Sequence, residues 1–268
     1  MTRKIAVIGF GNIAKAIITP LFDKNLLNPK DVYCLVSTKK SLENIRKNYK
    51  YDINIFQANS KDSEIIWDCE VKLLSVKPQQ LKNIIEVNKH NRNLLGSILA
   101  GVSLENLIKR FPNHKCVRVV TNIPITIGKG LTGIAWGDEI SEVQKKYIKR
   151  LFENSSKIYE FPEYLLDTFL ALTSSGPAII SLIIEALSDG GLSGGLQKQL
   201  SEELVMEMIL GTVSLIKDTN LTTAELKNMV TSPGGTTISA LRVLENKSLR
   251  SALIEAVVSA INRSKEFS

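Results

Sequence analysis

At 268 residues, with 44% apolar side chains and 23% charged ones, the chain suits one or two packed cores; neither a disordered polymer nor a collagen-like repeat fits it. Its formal charge of +7 comes from 34 Lys and Arg against 27 Asp and Glu, dispersed in pairs such as Lys39-Lys40 and Lys145-Lys146. That pattern describes a solvated basic surface, and with no basic-aromatic interleaving it argues against a nucleic-acid partner. The cysteines Cys34, Cys69 and Cys116 sit in apolar stretches without CxxC spacing, so buried thiols are expected, with no disulfide framework and no metal site.

Met1-Thr2-Arg3-Lys4 runs straight into a strand-like segment, so no signal peptide is expected. Short apolar runs at residues 5–8, 32–36, 71–76, 97–100 and 116–120 alternate with helical patterns such as 13–22 and 42–48. This βαβ rhythm predicts an N-terminal, Rossmann-type doubly wound parallel sheet over residues 1–162, with residues 131–136 and 157–161 as further strands at its far edge. From Tyr164 onward the spacing turns to threes and fours, as in Leu166, Phe169 and Leu170, then Leu204, Val205 and Met208, then Leu249, Leu253, Val257 and Ile261. Thr222-Thr223-Ala224-Glu225 reads as a capping box. An all-helical domain over residues 163–268 is therefore expected, small for its own core and stabilised by packing on a second copy. Its longest apolar stretch, residues 178–184, is broken by Glu185 and is too short to span a membrane, so a soluble cytoplasmic protein with no membrane partner is the expectation.

Gly9-Phe10-Gly11-Asn12-Ile13-Ala14 follows the first strand and opens a helix, the context in which a GxGxxA run binds a dinucleotide. The first Gly permits the turn, the second lets the backbone approach a pyrophosphate, and Ala14 lets helix and strand pack closely. The second strand ends in Ser37-Thr38-Lys39-Lys40, where NAD enzymes place a carboxylate; hydroxyls and cations suit a 2′-phosphate, so NADPH is expected, with NADH as the second candidate. Val76-Lys77-Pro78 and Ala100-Gly101 fall at later strand ends, where the ligand crevice of such a sheet lies; Lys77 reads equally as a surface lysine.

Ser232-Pro233-Gly234-Gly235-Thr236-Thr237 is the other dense motif, a Gly-Gly turn before a helix expected near Ile238. It reads as an anion nest for a substrate carboxylate or as a plain turn capped by Thr236 or Thr237. Gly176-Pro177 within an apolar helical run predicts a kink, made for a ligand or for packing, and Asp189-Gly190-Gly191 predicts that helix's end. Neither His90 nor His114 adjoins a motif, and both are expected at the surface, which disfavours a His-driven alcohol oxidation. Imine reduction needs no such base, since a protonated nitrogen can be steadied by a hydroxyl.

These segments together, IAVIGFGNIAKAI, SVKPQQL, ILAGVSLENL, TNIPITIGKGLT, SSGPA, ALSDGG, SPGGTTISALRVLE and AVVSAINRSKE, resemble the pyrroline-5-carboxylate reductase family over almost the whole chain, in order. The resemblance implies NADPH-linked reduction of 1-pyrroline-5-carboxylate to proline by a Rossmann domain and a helical dimerisation domain, with the active site where they meet. It implies a homodimer or a ring of dimers, acting on a small-molecule imine carboxylate. Gly9, Gly11, Asn12, Ile13 and Ala14 would hold the pyrophosphate, Ser37 and Lys39 the ribose phosphate, and Ser75, Val76, Lys77, Pro78 and Ala100 would border the nicotinamide. Ser232, Gly234, Gly235, Thr236 and Thr237 would bind the substrate carboxylate, with Thr237 hydrogen-bonded to the ring nitrogen. The chain departs from the usual pattern at Lys61-Asp62, at Thr121-Asn122-Ile123-Pro124, at Asn228-Met229 and in DGGLSGGL. A related imine or hydroxyacid reductase and a non-catalytic NADPH-binding regulator are the rival readings.

Overall fold

Ile5 and Val7 enter the hydrophobic core on one face of a sheet, while Ala6 and Ile8 enter the core on the other. All four are at most 2% exposed, as a central parallel strand covered by helices on both sides must be. A computed structural model describes residues 4–86 and 93–266 and divides into two compact units, residues 1–174 with 261–268, and residues 175–260.

The first unit is built on eight strands among the described residues: β1 (Ile5–Ile8), β2 (Val32–Val36), β3 (Asn54–Gln57), β4 (Val71–Leu74), β5 (Leu94–Ser97), β6 (Lys115–Thr121), β7 (Gly130–Trp136) and β8 (Ser156–Glu160). Their spatial order is β3-β2-β1-β4-β5-β6-β7-β8, parallel throughout except for the antiparallel β6–β7 pair. The chain order reverses beside β1, between β2 and β4, and that reversal opens a crevice at the carboxyl ends of the strands. Helices α1 (Asn12–Asp23), α2 (Lys39–Asn48), α3 (Leu104–Arg110), α4 (Glu142–Phe152) and α5 (Leu166–Thr173) belong to this unit.

Two expectations shift here. The strand expected at residues 97–100 runs instead over Leu94–Ser97, all four buried, because these residues register with Val71–Leu74 of β4. Strand β3 was not anticipated; it lies at the sheet's edge, and only Ile55 of its four residues is buried. The three cysteines are buried thiols, as expected.

The second unit holds α6 (Gly176–Ser193), α7 (Lys198–Thr219), α8 (Thr223–Met229), α9 (Thr236–Asn246) and most of α10 (Leu249–Lys265), whose residues from Ile261 on count with the first unit. The capping box at the start of α8 is formed: Thr222 Oγ1 accepts from the Glu225 N–H, and the Glu225 carboxylate accepts from the Thr222 N–H. Gly176-Pro177 makes no kink, for Pro177 sits in the first turn of α6, where its missing N–H costs nothing. Nor does Asp189-Gly190-Gly191 end α6, which continues to Ser193; Gly191 leaves room for Ser201 of α7, whose hydroxyl donates to Ser188 O at 2.7 Å. The glycines serve a close helix contact.

Only Ser188 and Ser201 are buried among the described residues of this unit, while Leu204, Met208, Leu210 and Val258 are each about half exposed. The apolar run is also longer than expected. The segment Glu163–Ser193, which includes α5 and α6, has the length and composition to cross a membrane.

Candidate functional site

The turn after β1 is fixed by close approach. Gly9 has φ +88°, its N–H donates to Leu35 O at 2.8 Å, and a Cβ there would stand 2.6 Å from Ser75 O and 2.8 Å from Val76 Cγ1. Only glycine fits between β2 and β4 at this point. Gly11, the N-cap of α1, has nothing within 4 Å of a Cβ, and neither a side-chain cap nor an acidic residue occupies the first turn. The free backbone N–H groups and the positive end of the helix therefore face open space, which suits a pyrophosphate. Asn12 is exposed beside it, Ile13 packs partly against the core, and Ala14 is fully buried, letting α1 lie close to the sheet.

A cavity of about 580 Å³ opens from this turn. Gly9, Gly11, Ser37, Ser75, Val76 and Lys77 lie on its wall, with Ile45 and the buried Trp67 forming an apolar side. Six of the twelve expected cofactor residues thus share this cavity, while Asn12, Ile13 and Ala14 follow its glycine turn without lining it. Lys39 is outside the wall, 79% exposed, with its Nζ 3.8 Å from Glu43 Oε1. Pro78 is exposed at the start of the 3-10 turn Pro78–Asn83, and Ala100 is exposed in the turn after β5; neither lines the cavity.

The wall also includes residues that sequence reasoning missed, Ser41 and, from the loop after β3, Ala58, Asn59 and Ser60, together with Lys61, which stood out in the sequence only as a departure from the family pattern. The Ala58 N–H donates to Val36 O at 2.8 Å and brings that loop beside the end of β2, while Asn59 takes the left-handed φ of +68°. The available signal was the Asn-Ser turn pair following Ile55-Phe56.

In the second unit, Gly234 has φ +70° and the Gly235 N–H donates to Ser232 O at 3.1 Å, closing the turn before α9. A Cβ on Gly235 would lie 2.5 Å from Ser232 Oγ, so a side chain there would make the Ser232 hydroxyl turn away. The helix starts at Thr236, two residues before the expected start, with Gly235 as an N-cap that offers no side chain. Thr236 is exposed and Thr237 half-buried, and neither hydroxyl has a hydrogen-bond partner among the described residues. Hydroxyls and N–H groups with free donor capacity at the positive end of a helix suit a carboxylate.

His114 corrects the expectation of a surface residue: it is buried, between Trp67 and Phe111, with ring centroids 5.9 and 6.1 Å away. Burial, then the neighbouring Lys72 ammonium, push its pKa down to about 4, outweighing Glu86 Oε1 at 3.3 Å from Nδ1. Burial likewise brings Lys72 down to about 8, and its Nζ donates to Cys69 O at 2.7 Å. His90 lies outside the described residues. Asn122, at one departure from the family pattern, is committed to the fold, accepting from Leu131 N at 2.8 Å and donating to Thr173 O at 3.1 Å. The described residues hold no cluster of three or more His, Cys, Asp or Glu that suits a metal ion.

Residues 163–267 match the family described as pyrroline-5-carboxylate reductase dimerisation, and residues 4–101 match that described as NADP oxidoreductase, coenzyme F420-dependent. The pyrroline-5-carboxylate reductase of Synechocystis sp. is 37% identical over 268 residues, 99% of this chain and 98% of that protein. The soybean (Glycine max) enzyme of the same name is 32% identical, covering 98% and 96%. Among solved structures, the Plasmodium falciparum pyrroline carboxylate reductase with NADP bound superposes with a TM-score of 0.83 at 26% identity, over 99% and 98% of the two chains. The Streptococcus pyogenes 1-pyrroline-5-carboxylate reductase gives 0.86 at 27%, over 98% of each.

Proposed function

The chain belongs to the pyrroline-5-carboxylate reductase family, and on that premise we propose that it reduces 1-pyrroline-5-carboxylate to L-proline with NADPH, using the cavity beside Gly9 and the turn at residues 232–237. The observation that carries the cofactor half is the pairing of two glycines. Gly9 lets the turn pass against Ser75, and Gly11 leaves the α1 N-terminus open for a pyrophosphate. When bound, NADPH supplies the hydride that adds to the imine carbon, while a proton goes to the nitrogen.

The chain's own residues bind, orient and polarise. Ser75, Val76 and Lys77, at the carboxyl end of β4, border the nicotinamide end of the cavity. The N–H groups at the start of α9, with the hydroxyls of Ser232 and Thr236, hold the substrate carboxylate. The Thr237 hydroxyl hydrogen-bonds the ring nitrogen, favouring the protonated imine that accepts hydride. No histidine is needed. His114 is buried beneath Trp67 and Phe111 and is held neutral.

The same reading makes the second unit the part that joins two copies, as a homodimer or a ring of dimers. Each large apolar side chain that a partner covers contributes roughly 1.5–3 kcal/mol, and a single chain leaves Leu204, Met208 and Val258 half exposed. That role also accounts for the apolar stretch Glu163–Ser193 without a membrane, since the match to the dimerisation family spans it. We place the enzyme in the cytoplasm on this basis.

The deciding experiment follows NADPH absorbance, and NADH absorbance separately, as purified protein meets 1-pyrroline-5-carboxylate at neutral pH. Faster decay with NADPH is expected. Cofactor binding with no decay would reject the reductase reading in favour of a non-catalytic NADPH-binding protein.

A further inference from the structure

We propose that Lys61 is the cation by which this chain recognises the 2′-phosphate of NADPH, acting with the hydroxyls of Ser37 and Ser41, and that Lys39 is not. The inference rests on reading the cavity beside Gly9 as the NADPH site. Within that cavity Ser37, Ser41, Ser60 and Lys61 share a wall at the ends of β2 and β3, and Lys39 is absent from it.

The placement of Lys61 is built in. The Ala58 N–H bond to Val36 O, 2.8 Å, ties its loop to the residue preceding Ser37. Ser60 then folds back, its hydroxyl donating to Gln57 O at 2.8 Å and its N–H at 3.2 Å, and the Ser63 hydroxyl donates to Ser60 O at 2.6 Å. Lys61 therefore leaves a braced turn at the first position of the 3-10 segment Lys61–Asp68. It forms no ion pair among the described residues, whereas Lys39 reaches toward Glu43 one helical turn along.

The hydroxyls are arranged to donate. Thr38 Oγ1 accepts from the Ser41 N–H at 3.1 Å and lies 2.9 Å from Ser41 Oγ. If Thr38 gives its hydroxyl hydrogen to Ser41, the Ser41 O–H is left for a phosphate oxygen. Glu64, one turn beyond Lys61, also lines the cavity, and its carboxylate opposes a phosphate beside it. The phosphate accordingly sits on the Ser37 and Ser41 side, within reach of a long, flexible lysine.

The test is calorimetric titration of NADPH and NADH into wild type, Lys61→Ala and Lys39→Ala. Lys61 has no ion-pair partner among the described residues and is exposed, so its variant should keep the wild-type Tm. Losing one charge-assisted phosphate contact should weaken NADPH about tenfold while leaving NADH within about twofold, and Lys39→Ala should leave both within about twofold. The Lys61 effect should shrink as ionic strength rises. Equal weakening of both cofactors by Lys61→Ala, no weakening, or a selective loss in Lys39→Ala would each overturn the proposal while the cavity assignment stands. A wild-type protein that binds neither cofactor would overturn both.

Discussion

The Ser264 hydroxyl donates to Asp167 Oδ1 at 2.8 Å, joining residues 97 apart. Asp167 Oδ1 also receives Arg118 Nη2 at 2.8 Å, and Arg118 Nη1 reaches Glu163 Oε1 at 3.2 Å. Glu163 in turn accepts from the Leu104 N–H at 2.6 Å. A fully buried guanidinium on β6 is thus held by two carboxylates, one of which anchors the end of α10. Asp167→Ala removes the more buried of the two partners and leaves Glu163 alone to hold the charge, which should cost about 3 kcal/mol, against about 1 kcal/mol for Ser264→Ala. Thermal melts of both variants at one protein concentration check the order; equal losses would contradict it.

The glycines of the first turn make opposite demands. Gly9→Ala collides with the Ser75 backbone at a left-handed φ and should lower Tm as well as abolish NADPH binding. At Gly11 a Cβ meets nothing in the protein and the position is exposed, so the stability of Gly11→Val should stay within about 1 kcal/mol of wild type. Its NADPH affinity should still fall by at least about tenfold, because the new side chain occupies the pyrophosphate's approach. Parallel melting and titration separate the two; unchanged affinity in Gly11→Val would remove the pyrophosphate from that position.

Thr237 is half-buried, and its hydroxyl has no partner in the described residues. Thr237→Ala should lower kcat about ten- to a hundredfold with little change in NADPH affinity, and Thr237→Ser should recover most of the rate. Full turnover in the alanine variant, measured by NADPH decay, would remove Thr237 from catalysis.

His114 should impose an acid limit on stability. Its pKa falls from 6.5 to about 4 in the fold, so between those values the unfolded chain takes up a proton that the folded chain does not. The stabilisation is complete above the unfolded value and is lost as pH drops toward the folded one. The loss is at most about 3 kcal/mol. His114→Phe, which keeps an aromatic ring against Trp67 and Phe111, should flatten the decline in Tm between pH 6.5 and pH 4. A decline as steep as that of wild type would assign it to other groups.

Residues whose surroundings are local in sequence were readable in advance. The turn at Gly9 and Gly11 follows a strand that is buried on both faces, and the Thr222–Glu225 box satisfies its own helix end, so each motif carries its context with it. What escaped depends on partners distant in the chain. Strand β3 has little apolar pattern of its own and exists because β2 offers it an edge, and with it went Asn59, Ser60 and the place of Lys61 on the cavity wall. His114 looked like a surface residue until Trp67 and Phe111 were found against it, and Gly191 looked like a terminator until Ser201 was found beside it.

The three cysteines have a kinetic consequence. Burial pushes the Cys69 thiol up to about 11, the Cys116 thiol up to about 12, and the Cys34 thiol higher still. Sulfur attacks alkylating and oxidising reagents as thiolate, so at neutral pH these sulfurs react only when the sheet opens. Because Cys34 lies in β2, Cys69 just before β4 and Cys116 in β6, modification of each registers the opening of a different part of the sheet. Native cysteines therefore serve as built-in clocks: if they react at one shared rate, the sheet opens as a single cooperative unit.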